Sequence, residues 1–331
     1  MKTYIIAEAG VNHNGSLDVA KKMVTMAKKA GADAIKFQAF NAKNLLVQSA
    51  PMAQYQIDNT ESKKTQYEMI KELELSNEDH KILINMCNET DIDYLCSPFD
   101  IESINFLRTQ NIETFKIPSG EITNLPYLRY LGRGNHKLLL STGMSNIDEI
   151  KNALLVLNEA GTDLNRITIM HANTMYPTPL IDVNLNAMKT IERECQTKVG
   201  YSDHTLGIDV SVIAVALGAV VIEKHFTLDK DMVGPDHKAS LSVQELTDMV
   251  RCIRKAEIIL GTPEKKPTKS EMANLPIVRK SIFASTKILK GEKFSERNIC
   301  TKRPGTGKSP MLWDEIIGST ANKDYNPDDF I

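Results

Sequence analysis

The fold is decided by residues 198–226, KVGYSDHTLGIDVSVIAVALGAVVIEKHF. Two short apolar runs, KVGYSD and GAVVIEKHF, flank a stretch with helical periodicity, GIDVSVIAVALGA. Near-continuous apolar strands that alternate with helices are typical of parallel strands buried on both faces. Working outward from this unit, six earlier runs of the same kind occur at 3–8, 33–38, 93–98, 114–119, 137–142 and 166–172.

Eight strand–helix units predict an α/β fold of the (β/α)8 TIM-barrel type, which typically takes about 250 residues. The alternative is a doubly wound sheet, which usually carries a glycine-rich phosphate loop after its first strand. The stretch that follows the first run here, EAGVNHNGS, has glycines but not the G-x-G-x-x-G spacing. We therefore favour the barrel.

Composition narrows the class of protein. The chain has 331 residues, 42% of them hydrophobic and 25% charged, and a formal net charge of −2, so no global field favours nucleic acid or a membrane surface. The five cysteines are scattered and form no C-x-x-C pair, which argues against a disulfide framework or zinc knuckle. The sequence predicts a cytoplasmic protein without a membrane or nucleic-acid partner, because it has no signal-like or membrane-length apolar run.

The rhythm of strands and helices also indicates the domain organisation. About 55 residues separate the second and third runs, so residues 43–76 are interpreted as an inserted, partly helical loop at the catalytic mouth of the barrel. The predicted barrel covers 1–262, and residues 263–280 form a Pro-, Lys- and Thr-rich linker. Residues 281–331 are predicted to form a small β-rich domain around the turn KGEK, which docks on the barrel or on another subunit.

Polar residues end nearly every apolar run. The carboxyl ends of barrel strands converge on one mouth, so these residues predict a polar cup. They are Glu8, Lys36, Gln38, Ser97, Lys116, Ser119, Glu121, Ser141, Asn173, Thr174, Tyr176, Ser202, His204, Glu223, Lys224 and His225. Lys36 and Lys116, which lie inside apolar runs and among hydroxyl groups, suit a phosphate or a carboxylate. The alternative is that Lys36 forms a structural ion pair with Glu8 or Glu121, since a buried lysine is costly unless it is paired.

Histidines end the seventh and eighth runs. Neighbouring strands lie about 4.8 Å apart, so His204 and His225 could share one cation and leave open positions for water or substrate. Mn²⁺, Mg²⁺ and Zn²⁺ are all compatible with such a site, because no thiolate is present. The alternative is a pair of hydrogen-bonded core histidines. His80 and His136 lie outside these strand ends and are expected on the surface.

Taken together, several motifs resemble the sialic acid synthase family along nearly the whole chain. They are IAEAGVNHNGS, KFQ, FKIPSGE, STGMSNIDEI, YPTP, YSDHTLG, EKHFTLDK and GPDHKASL, in that order. The tail KGEKFSERNICTKRPGTGKSPM is similar to the antifreeze-like (SAF) domain that follows the barrel in that family. The resemblance implies that phosphoenolpyruvate, an N-acylated mannosamine-type sugar and water give a nine-carbon sialic acid and phosphate. C3 of phosphoenolpyruvate would attack the aldehyde carbon, and water would add at C2.

The resemblance also implies roles for individual residues. Phosphoenolpyruvate would be bound by Lys36, Ser97, Lys116, Ser119, Ser141 and Ser202, and the sugar by Gln38, Asn173, Thr174, Tyr176, Asp236 and Arg303. Arg303 would come from the partner subunit of a domain-swapped homodimer. Glu8 and Glu121 are the expected catalytic carboxylates. His204 and His225 would hold a divalent metal, expected to be Mn²⁺ with Mg²⁺ or Co²⁺ as alternatives.

The sequence leaves several functions open. The first expectation is N-acetylneuraminate synthase acting on N-acetylmannosamine. The same chemistry on a 2,4-diacetamido-2,4,6-trideoxymannose would make the chain an N,N'-diacetyllegionaminate synthase, and a pseudaminate synthase fits GVNHNG less well. From other classes come a metal-dependent barrel hydrolase, which would need more metal ligands, and a non-catalytic carbohydrate- or ice-binding protein, which would need no lysine cup.

Overall fold

A computed structural model describes residues 2–60 and 64–331 of the chain; residues 61–63 of the predicted insertion lie outside the described residues. Eight parallel strands form a closed barrel in chain order, and β8 closes it by pairing with β1. The strands are β1 (Tyr4–Gly10), β2 (Ala34–Ala39), β3 (Asp93–Pro98), β4 (Thr114–Ile117), β5 (Lys137–Ser141), β6 (Ile167–Ala172), β7 (Lys198–Asp203) and β8 (Val221–His225). The prediction of a TIM barrel is confirmed.

Helices follow the strands and pack around the barrel. They are α1 (Leu17–Ala30), α2 (Ala42–Leu45), α3 (Gln54–Thr60), α4 (Gln66–Glu72), α5 (Asn77–Glu89), α6 (Ile101–Thr109), α7 (Leu125–Gly132), α8 (Ile147–Ala160), α9 (Ala187–Cys195), α10 (Asp209–Ala216) and α11 (Val243–Leu260). No helix in the described part of the chain is long and apolar enough to span a membrane.

The interior of the barrel changes character along its axis because strand residues two apart face the same side. Near the amino ends of the strands the interior is apolar, and it is filled by Ile6, Ala34, Leu95, Leu139, Met170 and Val221. Two residues further along their strands come Glu8, Lys36, Ser97 and Glu223, all buried. A hydrophobic floor therefore supports a polar layer at the carboxyl ends, where barrel enzymes carry their sites.

Helix α5 corrects one prediction. His80 is buried, because His80, Leu83, Ile84 and Cys87 form one face of α5 at helical spacing. The Nδ1 atom of His80 lies 2.7 Å from the hydroxyl oxygen of Tyr94. The surface prediction for His80 was wrong because its helical face points inward.

The predicted insertion after β2 is largely helical. Helices α2, α3 and α4 lie between β2 and α5, and Thr65 and Glu68 form a capping box at the start of α4. Val11, Phe40, Met69 and Leu73 form a small apolar cluster that joins this region to the loop after β1. The insertion thus has its own packing rather than being an open loop.

Residues Thr262–Ile331 form a second compact unit. Its elements are α12 (Lys269–Met272), α13 (Leu275–Val278), β9 (Ser281–Ala284), β10 (Ile299–Lys302) and α14 (Trp313–Ile316), and β9 pairs with β10 in antiparallel fashion. Its apolar core includes Ile282, Ile288, Phe294, Ile299 and Tyr325. The likeness of this unit to an antifreeze-like domain stays a prediction.

Candidate active site

Four charged side chains meet inside the polar layer of the barrel. Nζ of Lys36 lies 2.8 Å from Oε2 of Glu8 and 3.7 Å from Oε2 of Glu223. Nζ of Lys116 lies 2.7 and 2.8 Å from the two carboxylate oxygens of Glu223. These side chains are at most 5% exposed. We call Glu8, Lys36, Lys116 and Glu223 the lysine–glutamate cluster. It contains the ion pair between Lys36 and Glu8 that was named from the sequence as an alternative.

Hydroxyl groups from neighbouring strands complete this cluster. Lys36 donates a hydrogen bond to Oγ of Ser97 at 3.0 Å. Ser202 donates to Oε1 of Glu223 at 2.9 Å. Ser97 and Ser202 therefore belong to one hydrogen-bonded group with both lysines. These bonds satisfy buried polar atoms, which need partners.

The two carboxylates differ in proton affinity. Burial raises the pKa of Glu8 to about 7, although Lys36 opposes the shift. Burial also disfavours the ionised form of Glu223, but the ammonium groups of Lys116 and Lys36 overcome it and hold its pKa below the usual value. Glu223 is therefore a fixed anion, whereas Glu8 can hold or release a proton near neutral pH.

His204 and His225 stand beside this cluster, with ring centroids 5.6 Å apart. Nδ1 of His204 lies 2.5 Å from the carbonyl oxygen of Asn173, and its Nε2 lies 3.1 Å from the hydroxyl oxygen of Tyr176. Burial lowers the pKa of His204 to about 4 and holds that of His225 well below its usual value. Both imidazoles are thus neutral, which is the form that binds metals.

The donor set fits a divalent cation held by two imidazoles. Nδ1 of His225 is buried and has no hydrogen-bond partner among the described residues, and Oδ2 of Asp236 lies 3.9 Å from it. Residues 2–60 and 64–331 contain no group of three or more His, Cys, Asp or Glu placed to hold a metal ion. A cation bound by His204 and His225 would therefore leave positions for water or substrate.

A glycine packs closely against His225 and Glu8. Gly10, at the end of β1, has a φ of 52°, in the left-handed region that favours glycine. A Cβ atom at this position would lie 3.1 Å from Cε1 of His225 and 3.2 Å from Oε1 of Glu8. Both the backbone conformation and the close packing therefore favour glycine.

Next to His225 lies a cavity of about 270 Å³, here called the mouth cavity. Its walls are Val11, Gln38, Phe40, Leu45, Leu46, Gln56, Gln66, Ile70, Phe99, Tyr176, His225, Pro235 and Asp236. Gln38 also donates to Oε1 of Glu8 at 3.3 Å, which joins this cavity to the lysine–glutamate cluster. Residues 45–70 belong to the inserted segment, so the insertion does contribute to the barrel mouth.

Comparison with known proteins identifies the family. Residues 23–265 match the model of the NeuB family, which is more than half of the chain. The chain belongs to the NeuB family. This confirms the resemblance seen in the sequence and the prediction of an enzyme, and it argues against a hydrolase or a non-catalytic binding protein.

Relatives of this NeuB-family chain cover it almost completely. It is 50% identical over 330 residues to the N,N'-diacetyllegionaminic acid synthase of Campylobacter jejuni, covering 100% of this chain and 99% of the relative. It is 46% identical to the synthase of the same name from Legionella pneumophila, covering 96% and 90% of the two chains. The crystal structure of an N-acetylneuraminic acid synthetase from Leptospira borgpetersenii matches with a TM-score of 0.73 and 31% identity, covering 83% of this chain and 90% of that one.

Among the described residues, the remaining sequence-derived candidates make no hydrogen bond or ion pair with the lysine–glutamate cluster. Oγ of Ser119 accepts a hydrogen bond from the backbone N–H of Gly143 at 3.0 Å, which ties the loops after β4 and β5 together. Ser141 is buried at the end of β5, and Thr174 is partly exposed after β6. Arg303 is exposed in the second unit.

Two glutamates do not lie where the sequence suggested: Glu121, an expected catalytic residue, stands apart from the lysine–glutamate cluster, and Glu223, which had no assigned role, belongs to it. Glu121 lies in a short helical turn and accepts a hydrogen bond from Asn124 at 2.6 Å; among the described residues it makes no hydrogen bond or ion pair with the lysine–glutamate cluster. Glu223 was noted as a strand end but given no role, yet it binds Lys116, Lys36 and Ser202. The charged position inside an apolar strand was the signal that could have singled it out.

Proposed function

We propose that the chain condenses phosphoenolpyruvate with 2,4-diacetamido-2,4,6-trideoxymannose and water, giving N,N'-diacetyllegionaminate and phosphate. The observation that carries this proposal is the 50% identity, over the whole chain, to a N,N'-diacetyllegionaminic acid synthase. The synthetase named for N-acetylneuraminic acid is only 31% identical. The alternative acceptor considered from the sequence therefore fits better than N-acetylmannosamine, which was the first expectation.

Lys36 and Lys116 are the proposed anion-binding groups for phosphoenolpyruvate. Both are buried, and both are already held in place by carboxylates and hydroxyls of the lysine–glutamate cluster. Charge-assisted hydrogen bonds to phosphate and carboxylate are about twice as strong as neutral ones. Ser97 and Ser202 lie beside the same ammonium and carboxylate groups, and Ser119 and Ser141 are proposed to bind the outer part of the ligand.

The mouth cavity is the proposed site of the sugar. It adjoins His225, so a sugar lying there would present its aldehyde to C3 of phosphoenolpyruvate in the barrel. Gln38, Tyr176 and Asp236 line this cavity and carry hydrogen-bonding groups suited to hydroxyls and amides. Asn173 and Thr174 are proposed to contact the sugar from the loop after β6.

His204 and His225 are proposed to hold a divalent metal, Mn²⁺ in the first instance, with Mg²⁺ or Co²⁺ as alternatives. When bound there, the metal would act as a Lewis acid on the aldehyde oxygen. Tyr176 keeps the ring of His204 in position through a stacked contact with centroids 4.1 Å apart. The carbonyl of Asn173 fixes the other side of that ring.

Glu8 is the proposed proton carrier. Its pKa of about 7 suits a group that takes a proton in one step and returns it in another. In the reaction, C3 forms a bond to the aldehyde carbon, water adds to C2, and the tetrahedral intermediate loses phosphate to leave the 2-keto acid. Glu121, further out, is proposed to act on water at the edge of the site.

A domain-swapped homodimer remains part of the proposal, as does a cytoplasmic location. Arg303 is exposed and cationic, so it is available to reach the acyl group of a sugar in the partner's barrel. This role would explain why a unit as small as Thr262–Ile331 accompanies the barrel.

Phosphate release tests the proposed function. Purified protein with Mn²⁺ and phosphoenolpyruvate should release phosphate when the diacetamido sugar is added, and much more slowly with N-acetylmannosamine. Faster release with N-acetylmannosamine would make it an N-acetylneuraminate synthase. Release with neither sugar, from folded and metal-loaded protein, would contradict both.

A further inference from the structure

The mouth cavity contains features that none of the roles above uses. Its outer wall comes from the inserted segment, with Gln56 beside the apolar side chains of Leu45, Leu46 and Ile70. The proposal below rests on the proposed function and deepens it, because it concerns how the second acetamido group is recognised.

We propose that Gln56 is a specificity-determining residue, donating a hydrogen bond from Nε2 to the carbonyl oxygen of the acceptor's 4-acetamido group. Such a contact exists only with a sugar acylated on nitrogen at C4. N-acetylmannosamine carries a hydroxyl at that carbon and reaches less far from the sugar chain.

The side-chain amide of Gln56 is oriented by the helix that carries it. Its Oε1 accepts a hydrogen bond from the backbone N–H of Ala53 at 2.9 Å, immediately before α3. This is half of a capping box, in which the third helical residue satisfies the N–H of the capping position. Because the oxygen is engaged, the nitrogen is the free end of the amide.

That nitrogen lies beside the cavity and has no partner among the described residues. Gln56 is only 8% exposed and lines the cavity. Nε2 makes no hydrogen bond to any of the described residues. An amide donor that faces a cavity from a largely buried side chain suits a ligand carbonyl, because a ligand bound there displaces the donor's water and would otherwise leave it unpaired, which costs free energy.

The apolar neighbours fit the far end of the same sugar. A sugar whose aldehyde lies at His225 would extend its C4 and C6 toward the lining residues of the insertion. Leu45, Leu46 and Ile70 offer a hydrophobic wall that suits a C6 methyl group and the acetamido methyl. In N-acetylmannosamine this region would carry hydroxyls at C4 and C6, which such a wall leaves without partners.

Gln56→Glu is the sharpest test, because glutamate keeps the shape and the acceptor oxygen that caps α3 but has no N–H donor. We expect kcat/KM for the diacetamido sugar to fall about tenfold, the effect of one buried hydrogen bond. The ratio of kcat/KM for the diacetamido sugar over N-acetylmannosamine should fall with it, while KM for phosphoenolpyruvate stays constant. Gln56→Met, which is uncharged, should lower the ratio in the same direction.

Two further variants separate this role from its alternatives. Glu68→Gln changes the equivalent capping position of α4, outside the cavity, and should leave the ratio unchanged. Gln66→Glu removes the other amide that the inserted segment contributes to the cavity wall. A fall of the ratio in Gln66→Glu but not in Gln56→Glu would overturn the assignment, as would a fall in Gln56→Glu that Gln56→Met does not share.

The outcome for the wild type keeps the two proposals distinguishable. Wild-type protein that prefers the diacetamido sugar, with unchanged selectivity in both Gln56 variants, would overturn the Gln56 role alone. Wild-type protein that does not use the diacetamido sugar would overturn the proposed function and, with it, this inference.

Discussion

A buried ion pair behind the two histidines offers a quantitative test. Asp203 and Lys224 lie on the outer side of β7 and β8, next in sequence to His204 and His225, and their side chains are 0% and 1% exposed. Nζ of Lys224 is 2.9 Å from Oδ2 of Asp203 and donates to the carbonyl oxygen of Thr205 at 2.7 Å. Lys224→Met would leave a buried carboxylate without its cation.

The magnitude follows from what remains around Asp203. Three hydrogen bonds survive, from the backbone N–H and hydroxyl of Thr205 and from the hydroxyl of Ser211. Removing one partner of a buried pair typically costs about 3–5 kcal/mol, and these three bonds place Lys224→Met near the lower end, at about 3 kcal/mol. Asp203→Asn together with Lys224→Met should cost clearly less than the sum of the single variants, because no uncompensated charge is left.

Equilibrium urea unfolding, followed by circular dichroism, measures these differences. Lys302→Met, in an exposed pair with Asp328, serves as the control and should leave the transition unchanged. A destabilisation by Lys224→Met as small as that of the control, or strict additivity in the double variant, would refute the reasoning. The single variants should also weaken Mn²⁺ binding, because Asp203 and Lys224 are next in sequence to the two histidines and a local rearrangement would displace them.

The remaining predictions concern the active site directly. Gly10→Ala should lower kcat in a phosphate-release assay without preventing folding, because the new methyl group crowds His225; full activity would contradict this packing argument. Lys116→Met should raise KM for phosphoenolpyruvate at least about tenfold, the value of one charge-assisted hydrogen bond; an unchanged KM would place the anion elsewhere. His225→Ala should abolish chelator-sensitive activity. Unchanged metal dependence would contradict the assignment of His204 and His225 as metal ligands. Mixing Arg303→Ala with Lys116→Ala subunits should restore some activity through heterodimers; its absence, with subunit exchange confirmed, would argue against the domain swap.

The barrel was predictable because its strands carry their own signal. Parallel strands buried on both faces read as short apolar runs, and all eight runs became strands. Alternation within a run also separates the two faces. Ser202 and Glu223 lie in the barrel interior, where they bind each other. Asp203 and Lys224, one residue further along their strands, pair with each other on the outer side, and Asp203 accepts a hydrogen bond from Ser211 of α10.

The partners across the barrel were not predictable in the same way. Lys116 and Glu223 are 107 residues apart, and only closure of the barrel makes them an ion pair. Glu8 lies within the last part of β1 and faces the barrel interior, whereas Glu121 follows β4 in a local turn that directs it to Asn124. Strand-end position indicates that a residue is near the mouth, and the backbone of the following turn determines where its side chain points.

The lining of the mouth cavity was likewise not predictable from the sequence. Gln56 and Asp236 come from segments far apart in the sequence, and neither lies on a barrel strand. The insertion was recognisable from its length, but which of its side chains face the cavity depends on how α3 and α4 pack. The acceptor therefore could not be chosen from strand patterns alone.

A competition experiment tests the central claim most directly. The protein, Mn²⁺ and limiting phosphoenolpyruvate are mixed with equal concentrations of 2,4-diacetamido-2,4,6-trideoxymannose and N-acetylmannosamine, and the products are resolved by mass spectrometry. Their ratio gives the ratio of the two kcat/KM values. The account predicts N,N'-diacetyllegionaminate as the dominant product; dominant N-acetylneuraminate, or no nine-carbon acid at all, would contradict it.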